Sequence, residues 1–130
     1  MNVPKGKVND KAQELRDRTK GFALRIIRMF RTLPRTVDAQ VMGKQLLRSG
    51  TSVAANYRAA CRSRSRPEFL SRLCVVLEEA DECVLWMELL IDSGTVKKEK
   101  LDMLLTEARQ LTAIFTASTG TIRRETNLKF

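Results

Sequence analysis

Histidine is absent from the 130-residue sequence. Without it the chain has no Ser-His or Cys-His dyad, no imidazole metal ligand and no side chain that normally titrates near neutral pH. Glycine occurs six times, and its residues are scattered singly, so no glycine-rich phosphate loop is present. The sequence offers no catalytic constellation, and it predicts a protein without enzymatic activity, cofactor or metal site.

Cysteine and long apolar runs are also scarce. Cys61, Cys74 and Cys83 form no C-x-x-C pair and stand in apolar helical segments, which predicts small core residues in a reducing compartment. No apolar run approaches the roughly 18 residues of a membrane span. The basic N-terminal segment is followed by no apolar stretch, which argues against a signal peptide. We therefore expect a cytoplasmic protein without a membrane partner.

Acidic residues are rare in the first half of the chain. Residues 1–66 carry 16 lysines and arginines against four acids, whereas residues 67–130 carry eight against eleven. The formal net charge is +9. This asymmetry indicates that the first half faces a polyanion, or that the two halves pair within or between subunits.

Helical periodicity runs through the whole sequence, and no segment alternates strictly as a half-buried strand would. The pattern predicts an all-α protein with four helices joined by short connections, which makes neighbours antiparallel in an up-down-up-down bundle. The predicted helices cover residues 10–33, 37–62, 66–92 and 96–123. Residues 1–9 and 124–130 are predicted to be flexible tails of a single domain.

The first two predicted helices have unusual faces. The first carries an apolar stripe and, opposite it, a basic face of Arg18, Lys20, Arg25, Arg28 and Arg31. The second is rich in small residues, and its Gly43 and Gly50 indicate either a close backbone approach or a local weakness. Asn56 lies among alanines, which predicts a buried hydrogen bond to a neighbouring helix.

The third predicted helix begins with an S-x-x-E capping box, Ser65 to Glu68, with Pro67 tolerated in the first turn. It then carries a heptad seam of Phe69, Leu73, Val76, Ala80, Cys83, Met87 and Leu90. Further apolar residues widen this surface, as a helix in the middle of a bundle requires, and an acidic flank runs beside it. Trp86 lies at the border between them, with core packing favoured over a subunit contact.

The segment from Arg48 to Gly94 resembles a bacterial family of four-helix-bundle proteins. The resemblance rests on the Ser-Val-Ala-Ala-Asn run at 52–56, the arginine and serine run at 62–65, Glu68-Phe69, and the acidic and apolar third helix. The family includes proteins encoded in intervening sequences of large-subunit ribosomal RNA genes and accessory proteins of diversity-generating retroelements. Many members carry an acidic residue and a glycine where this chain has Arg58 and Ala59.

The resemblance implies a homopentameric ring with a basic surface that contacts nucleic acid. In the retroelement members, it implies in addition that the ring binds a reverse transcriptase. We therefore expect a homo-oligomer that binds the RNA or DNA backbone and, as the retroelement members imply, has a reverse transcriptase as a further partner.

Seven arginines are the predicted phosphate contacts: Arg25, Arg28, Arg31, Arg58, Arg62, Arg64 and Arg66. Arginine suits multidentate contacts with phosphate, and few aromatic residues are present for base stacking. Some of these arginines are alternatively expected to pair with the acidic third helix, in the same chain or a neighbouring one. Two other functions stay open: an interaction protein whose basic surface meets an acidic protein, and an enzyme with an unrecognised site.

Overall fold

The computed structural model describes residues 5–127, with side chains from residue 10 onward. Its helices are α1 (Lys5–Phe30), α2 (Val37–Ala60), α3 (Arg66–Asp92) and α4 (Lys98–Asn127). No strand occurs within residues 5–127. The predicted all-α four-helix bundle is confirmed. α2 lies between α1 and α3, and α3 packs against both α2 and α4.

Several helix ends differ from the predicted bounds. α1 stops at Phe30 because Thr32 and Leu33 donate their backbone N–H groups to carbonyls three residues back, at 2.9 and 3.1 Å, which tightens the last turn. α2 ends at Ala60, two residues early, and α4 begins at Lys98. Residues 5–9 and 124–127, predicted as flexible tails, are helical. The remaining predicted tail residues, 1–4 and 128–130, lie outside the described residues.

At the start of α3 the Ser65 side of the predicted capping box is confirmed, whereas the Glu68 carboxylate bonds the residue before the N-cap and not Ser65 itself. The Ser65 hydroxyl accepts a hydrogen bond from the Glu68 backbone N–H at 3.2 Å, and the Glu68 carboxylate accepts from the Arg64 N–H at 2.6 Å. Pro67 stands in the first turn, where its missing N–H costs no helical hydrogen bond. These contacts fix the point at which the arginine-rich connection ends and α3 begins.

The core follows the predicted seam of α3 closely. Six of its seven seam residues are buried, and Phe69, near the start of α3, is half-buried. The predicted inner face of α4 is also buried, with side chains Leu101, Leu104, Leu105, Ala108, Leu111, Phe115 and Ile122. α3 therefore occupies the middle of the bundle, where apolar residues on more than one face are needed.

The two glycines of α2 are packed against α1, but against its side chains and not its backbone. A Cβ atom at Gly43 would collide with Leu33 and crowd Phe30, and one at Gly50 would collide with Ile26. The two glycines thus leave room for large side chains of α1 and of the residues that directly follow it. Neither glycine is exposed.

Two predictions about polar and sulfur-containing side chains need correction. Asn56 is half-buried and donates to the Ser52 carbonyl at 2.9 Å, so its hydrogen bond lies within α2 and not between helices. Cys83 is buried, as predicted, but Cys61 and Cys74 are half-buried. Trp86 is half-buried and packs against the core, in agreement with its favoured interpretation.

Candidate nucleic-acid interface

The seven predicted arginines do not form one cluster. Arg25 is half-buried and the other six are exposed. They separate into residues that face carboxylates of the same chain and residues that face solvent. That division decides which of them are free to contact phosphate.

Two of the seven face acidic residues of α4. Arg66 forms an ion pair with Glu125, which joins the start of α3 to the end of α4. Arg25 lines a hollow of about 340 Å³ beside Asp102 and Glu107. Arg66 is therefore engaged by a carboxylate. Arg25 makes no ion pair within residues 10–127, but it is half-buried and shares its hollow with two acids, so it is less accessible to a polyanion than the other predicted arginines.

The other five arginines make no ion pair within residues 10–127. This group, called the unpaired arginines below, consists of Arg28, Arg31, Arg58, Arg62 and Arg64. The first two lie at the end of α1, the next two around the end of α2, and the last in the connection to α3. All five are exposed, and no carboxylate of the described residues holds any of them in an ion pair.

Arg58 and Arg62 line a groove between α1 and α2 with a volume of about 710 Å³. The α1 side of the groove supplies Arg16 and Lys20, which are four residues apart and therefore share one helical face. These four basic residues are the rim of what we call the α1/α2 groove. Asp17 is the acidic residue that lines it.

The floor of the α1/α2 groove is apolar. It is made by Ala23, Leu24 and Ile27 of α1 and by Ala54 and Ala55 of α2. The alanines keep the floor deep, because larger side chains there would fill the space between the helices. Leu24 remains 40% exposed, so part of its side chain is accessible from the groove.

Sequence reasoning missed the groove. It placed Lys20 on the basic face of the first helix, but it assigned no role to Arg16. The spacing of Arg16, Lys20 and Ile27 already puts these side chains on one face of α1. What the sequence did not give was the register between α1 and α2, which brings that face beside Arg58 and Arg62.

The acidic flank of α3 is paired with a different set of basic residues. Arg48 binds Glu79 at 3.0 Å and also Glu82. The expected pairing of arginines with the third helix therefore occurs at Arg48, whereas Arg58, Arg62 and Arg64 take no part in it. A hydrogen bond from Trp86 Nε1, at 3.0 Å, and then the contact with Arg48 lower the pKa of Glu82.

Other ion pairs join the remaining helices. Arg18 donates two hydrogen bonds of 2.8 Å to Glu107, which links α1 to α4, and that contact raises the pKa of Arg18. Arg109 binds Glu88 at 3.1 Å between α4 and α3. None of these pairs involves the basic residues that line the α1/α2 groove.

Two buried groups have pKa values raised above their ordinary values. Burial raises the pKa of the Cys83 thiol to about 12, and burial together with the Cys61 contact raises the pKa of Tyr57. Both groups stay protonated at pH 7, which does not favour a nucleophilic role. Within the described residues, no cluster of three or more His, Cys, Asp or Glu side chains is arranged to hold a metal ion.

None of the described helices combines the length and apolar character that crossing a bilayer demands.

Comparison with known proteins identifies relatives of the whole bundle. The family model described as 23S rRNA-intervening sequence protein matches residues 11–117. A solved structure from Bacteroides thetaiotaomicron, described as a protein of unknown function from the S23 ribosomal protein family, is 32% identical, with a TM-score of 0.78. That match covers 85% of this chain and 98% of the other. The comparison with curated proteins found no significant match.

Proposed function

The chain belongs to the 23S rRNA-intervening sequence protein family, and from that premise we propose that it is a non-enzymatic protein that binds the backbone of RNA or DNA. The five unpaired arginines, Arg28, Arg31, Arg58, Arg62 and Arg64, make the phosphate contacts. Binding depends on charge and on the shape of the backbone. It distinguishes weakly between base sequences.

One observation supports this proposal most strongly. The unpaired arginines are exposed and have no ion-pair partner within residues 10–127. In the same chain, Arg18, Arg48 and Arg66 each form an ion pair with a glutamate. Uncompensated like charges repel, and a phosphate backbone relieves the repulsion and releases condensed counterions. A guanidinium also matches phosphate in a bidentate geometry.

Backbone contact is favoured over base stacking because the tyrosine and the tryptophan of the chain are engaged within the bundle. Tyr57 is buried and packs against Phe115, with ring centroids 5.5 Å apart. Trp86 lies on α3 and is bonded to Glu82. Single-strand readers stack successive bases on exposed aromatic rings, and neither of these rings is presented in that way.

The proposal includes two more specific statements about assembly and role. The first is assembly into a homopentameric ring, and the second is service as an accessory factor to a reverse transcriptase in a diversity-generating retroelement. Both come from the family resemblance around residues 48–94. The family description, which refers to an intervening sequence of 23S rRNA, makes structured RNA the first nucleic acid to test.

The test compares two variants that each lose five positive charges. One replaces the five unpaired arginines by glutamine. The control replaces Lys97, Lys98, Lys100, Arg123 and Arg124, which are exposed residues of α4 and the connection before it. Binding to a labelled RNA duplex is followed by fluorescence anisotropy across a salt series.

We expect the wild type and the control to bind with a log–log salt slope set by about 0.9 released ions per phosphate contact. The variant without the unpaired arginines should lose most of that slope and bind weakly to every sequence. Wild-type affinity and slope in that variant would contradict the proposal. An acidic protein partner would then become the leading candidate, and the apolar floor of the α1/α2 groove favours such a partner.

A further inference from the structure

The α1/α2 groove has a charged part and an apolar part at different levels along its two helices. Ile26 of α1 lies against Gly50 of α2, and the two helices run antiparallel. Six residues back along α1 therefore match six residues forward along α2, which places Lys20 level with residue 56. The basic rim gathers around that level, whereas Leu24 is four residues further along α1, about 6 Å away. The charges and the apolar floor are thus about one helical turn apart.

The charged part is not neutralised by the chain itself. Arg16, Lys20, Arg58 and Arg62 form no ion pair within residues 10–127. Asp17 is the acidic residue among those that line the groove, so four positive charges stand against one negative charge, a net charge of +3. A concave surface lined by charges of one sign concentrates ions of the opposite sign. The ligand that suits this part of the groove is therefore an anion.

The uncharged polar side chains of the groove are already hydrogen-bonded. Gln13 donates to the Asp17 carboxylate at 2.9 Å and accepts from the Arg16 guanidinium at 2.8 Å. The Thr51 hydroxyl donates to the Leu47 carbonyl at 2.8 Å. A nucleic-acid base in the groove would therefore meet an apolar surface and few free groups that could read its hydrogen-bonding edge. The groove can hold a base without selecting its identity.

We propose that the α1/α2 groove binds an unpaired nucleotide of a single-stranded segment of RNA or DNA. Such binding rests on the proposed function and adds to it a preference for unpaired strands. The four basic residues of the rim contact the phosphates next to that nucleotide, and its base lies on the apolar floor against Leu24 and Ala55. The unpaired arginines outside the groove, Arg28, Arg31 and Arg64, stay available for the phosphates of flanking segments.

A single strand uses both parts of the groove, whereas a duplex uses only the charged part. The bases of a duplex are paired and stacked inside it, so its phosphates meet the basic rim and no base reaches the floor. Charge alone favours the duplex, which releases about 0.9 ions per phosphate contact against about 0.7 for a single strand. Burial of a base on Leu24 opposes that preference. The contact differs from an aromatic platform, because aliphatic side chains support one base and not a succession of stacked bases.

Three labelled probes separate the contribution of the base from that of the phosphates. They are a single strand of about 12 thymidines, a strand of the same length made of abasic units, and a duplex that contains the thymidine strand. The floor variant is Leu24→Ala, which changes no charge and truncates a side chain that is 40% exposed. The matched control is Leu85→Ala, a 48% exposed leucine of α3 outside the groove. Circular dichroism checks the fold, and Ala55→Gln replaces the floor variant if Leu24→Ala unfolds.

Fluorescence anisotropy across a salt series gives the affinities. We expect Leu24→Ala to weaken binding of the thymidine strand by at least about fourfold, the factor for one methylene group that loses an apolar contact. Its affinity for the abasic strand and for the duplex should equal that of the wild type. Its salt slope should be unchanged as well, because no phosphate contact is removed. Leu85→Ala should bind all three probes as the wild type does.

Two results would overturn the proposal and leave the proposed function standing. One is an equal effect of Leu24→Ala, or none, on all three probes. The other is a wild type that binds the abasic strand as tightly as the thymidine strand. Absence of salt-dependent binding of every probe to the wild type would overturn the proposed function too, and the groove would then be left to an acidic protein partner.

Discussion

Gly50 of α2 lies directly against the Ile26 side chain of α1, and a Cβ atom added to Gly50 would overlap Ile26 Cδ1. Ile26 is fully buried, and its Cγ2 and Cγ1 atoms would also be only 3.3 and 3.4 Å from the new Cβ. Rotation of the isoleucine therefore gives little relief. The close packing of α1 on α2 depends on this glycine.

We predict that Gly50→Ala lowers the free energy of unfolding. Overpacking a core costs about 1–3 kcal/mol, which exceeds the gain of about 0.8–1 kcal/mol from replacing glycine by alanine in a helix. Urea denaturation measures the difference. Gly21→Ala is the matched control, because a Cβ there meets nothing within 4 Å, and we expect that variant to be more stable than the wild type. Equal or higher stability of Gly50→Ala would show that α1 readjusts freely.

Glu82, in the acidic flank of α3, contacts both Trp86 and Arg48. One of its carboxylate oxygens, Oε1, accepts from both Trp86 Nε1 and the Arg48 guanidinium. The two contacts, Trp86 first, lower the pKa of Glu82 below its ordinary value of 4.5. Their contribution to stability is therefore fully present above that ordinary pKa and is lost as the pH falls through the lowered one.

The fluorescence of Trp86 reports this titration, since the chain has a single tryptophan. We predict a change in its emission below pH 4.5, as Glu82 becomes protonated and its charge-assisted contacts weaken. In Arg48→Ala the midpoint should move to higher pH, because one stabilising partner of the carboxylate is gone. Glu82→Gln should abolish the transition. Persistence of the transition in that variant would assign it to another group.

Cys83 is predicted to be chemically inert in the native protein. It is fully buried, its Sγ lies 3.4 Å from the Ser49 hydroxyl, and burial raises its pKa to about 12. In a variant with Cys61→Ala and Cys74→Ala, labelling by a thiol reagent should be slow and should accelerate with urea. At both pH 7 and pH 9 the labelling rate should stay far below that of an ordinary thiol, because only a very small fraction of Cys83 is thiolate at either pH. Rapid native labelling would mean that the α2–α3 contact opens readily.

Much of the fold could be predicted because its signals are local. The heptad seam from Leu73 to Leu90 specifies the buried face of α3, and Ser65 and Glu68 specify where that helix begins. Both signals need only residues within a few turns of one another. The helix ends were less predictable, as at Phe30, because hydrogen bonds three residues apart compete with regular helical bonds over a single turn.

The candidate site could be predicted only in part, because pairing depends on the register between helices. Nothing near Arg66 in the sequence points to Glu125, which is 59 residues away. The groove likewise depends on how far α1 is shifted along α2, and that shift is set by Ile26 against Gly50 and Leu33 against Gly43. Composition indicated a basic surface, and tertiary packing determined which arginines belong to it.

Arg64 and Arg66 allow the sharpest test of that division. Arg64 lies in the connection before α3, and Arg66, two residues later, begins that helix. Both are exposed, but only Arg66 has an ion-pair partner, Glu125, within residues 10–127. We predict that Arg64→Ala weakens RNA binding about equally for all sequences and reduces the salt slope by about one, with an unchanged melting temperature. Arg66→Ala should leave the slope unchanged and lower the melting temperature slightly, since an exposed ion pair contributes about 0–1 kcal/mol. Anisotropy across a salt series and thermal unfolding measure both quantities for each variant.

Glu125→Gln is the control for the ion pair and should reproduce the small loss of stability. If Arg66→Ala reduced the slope as much as Arg64→Ala, the ion pair would not withhold Arg66 from phosphate.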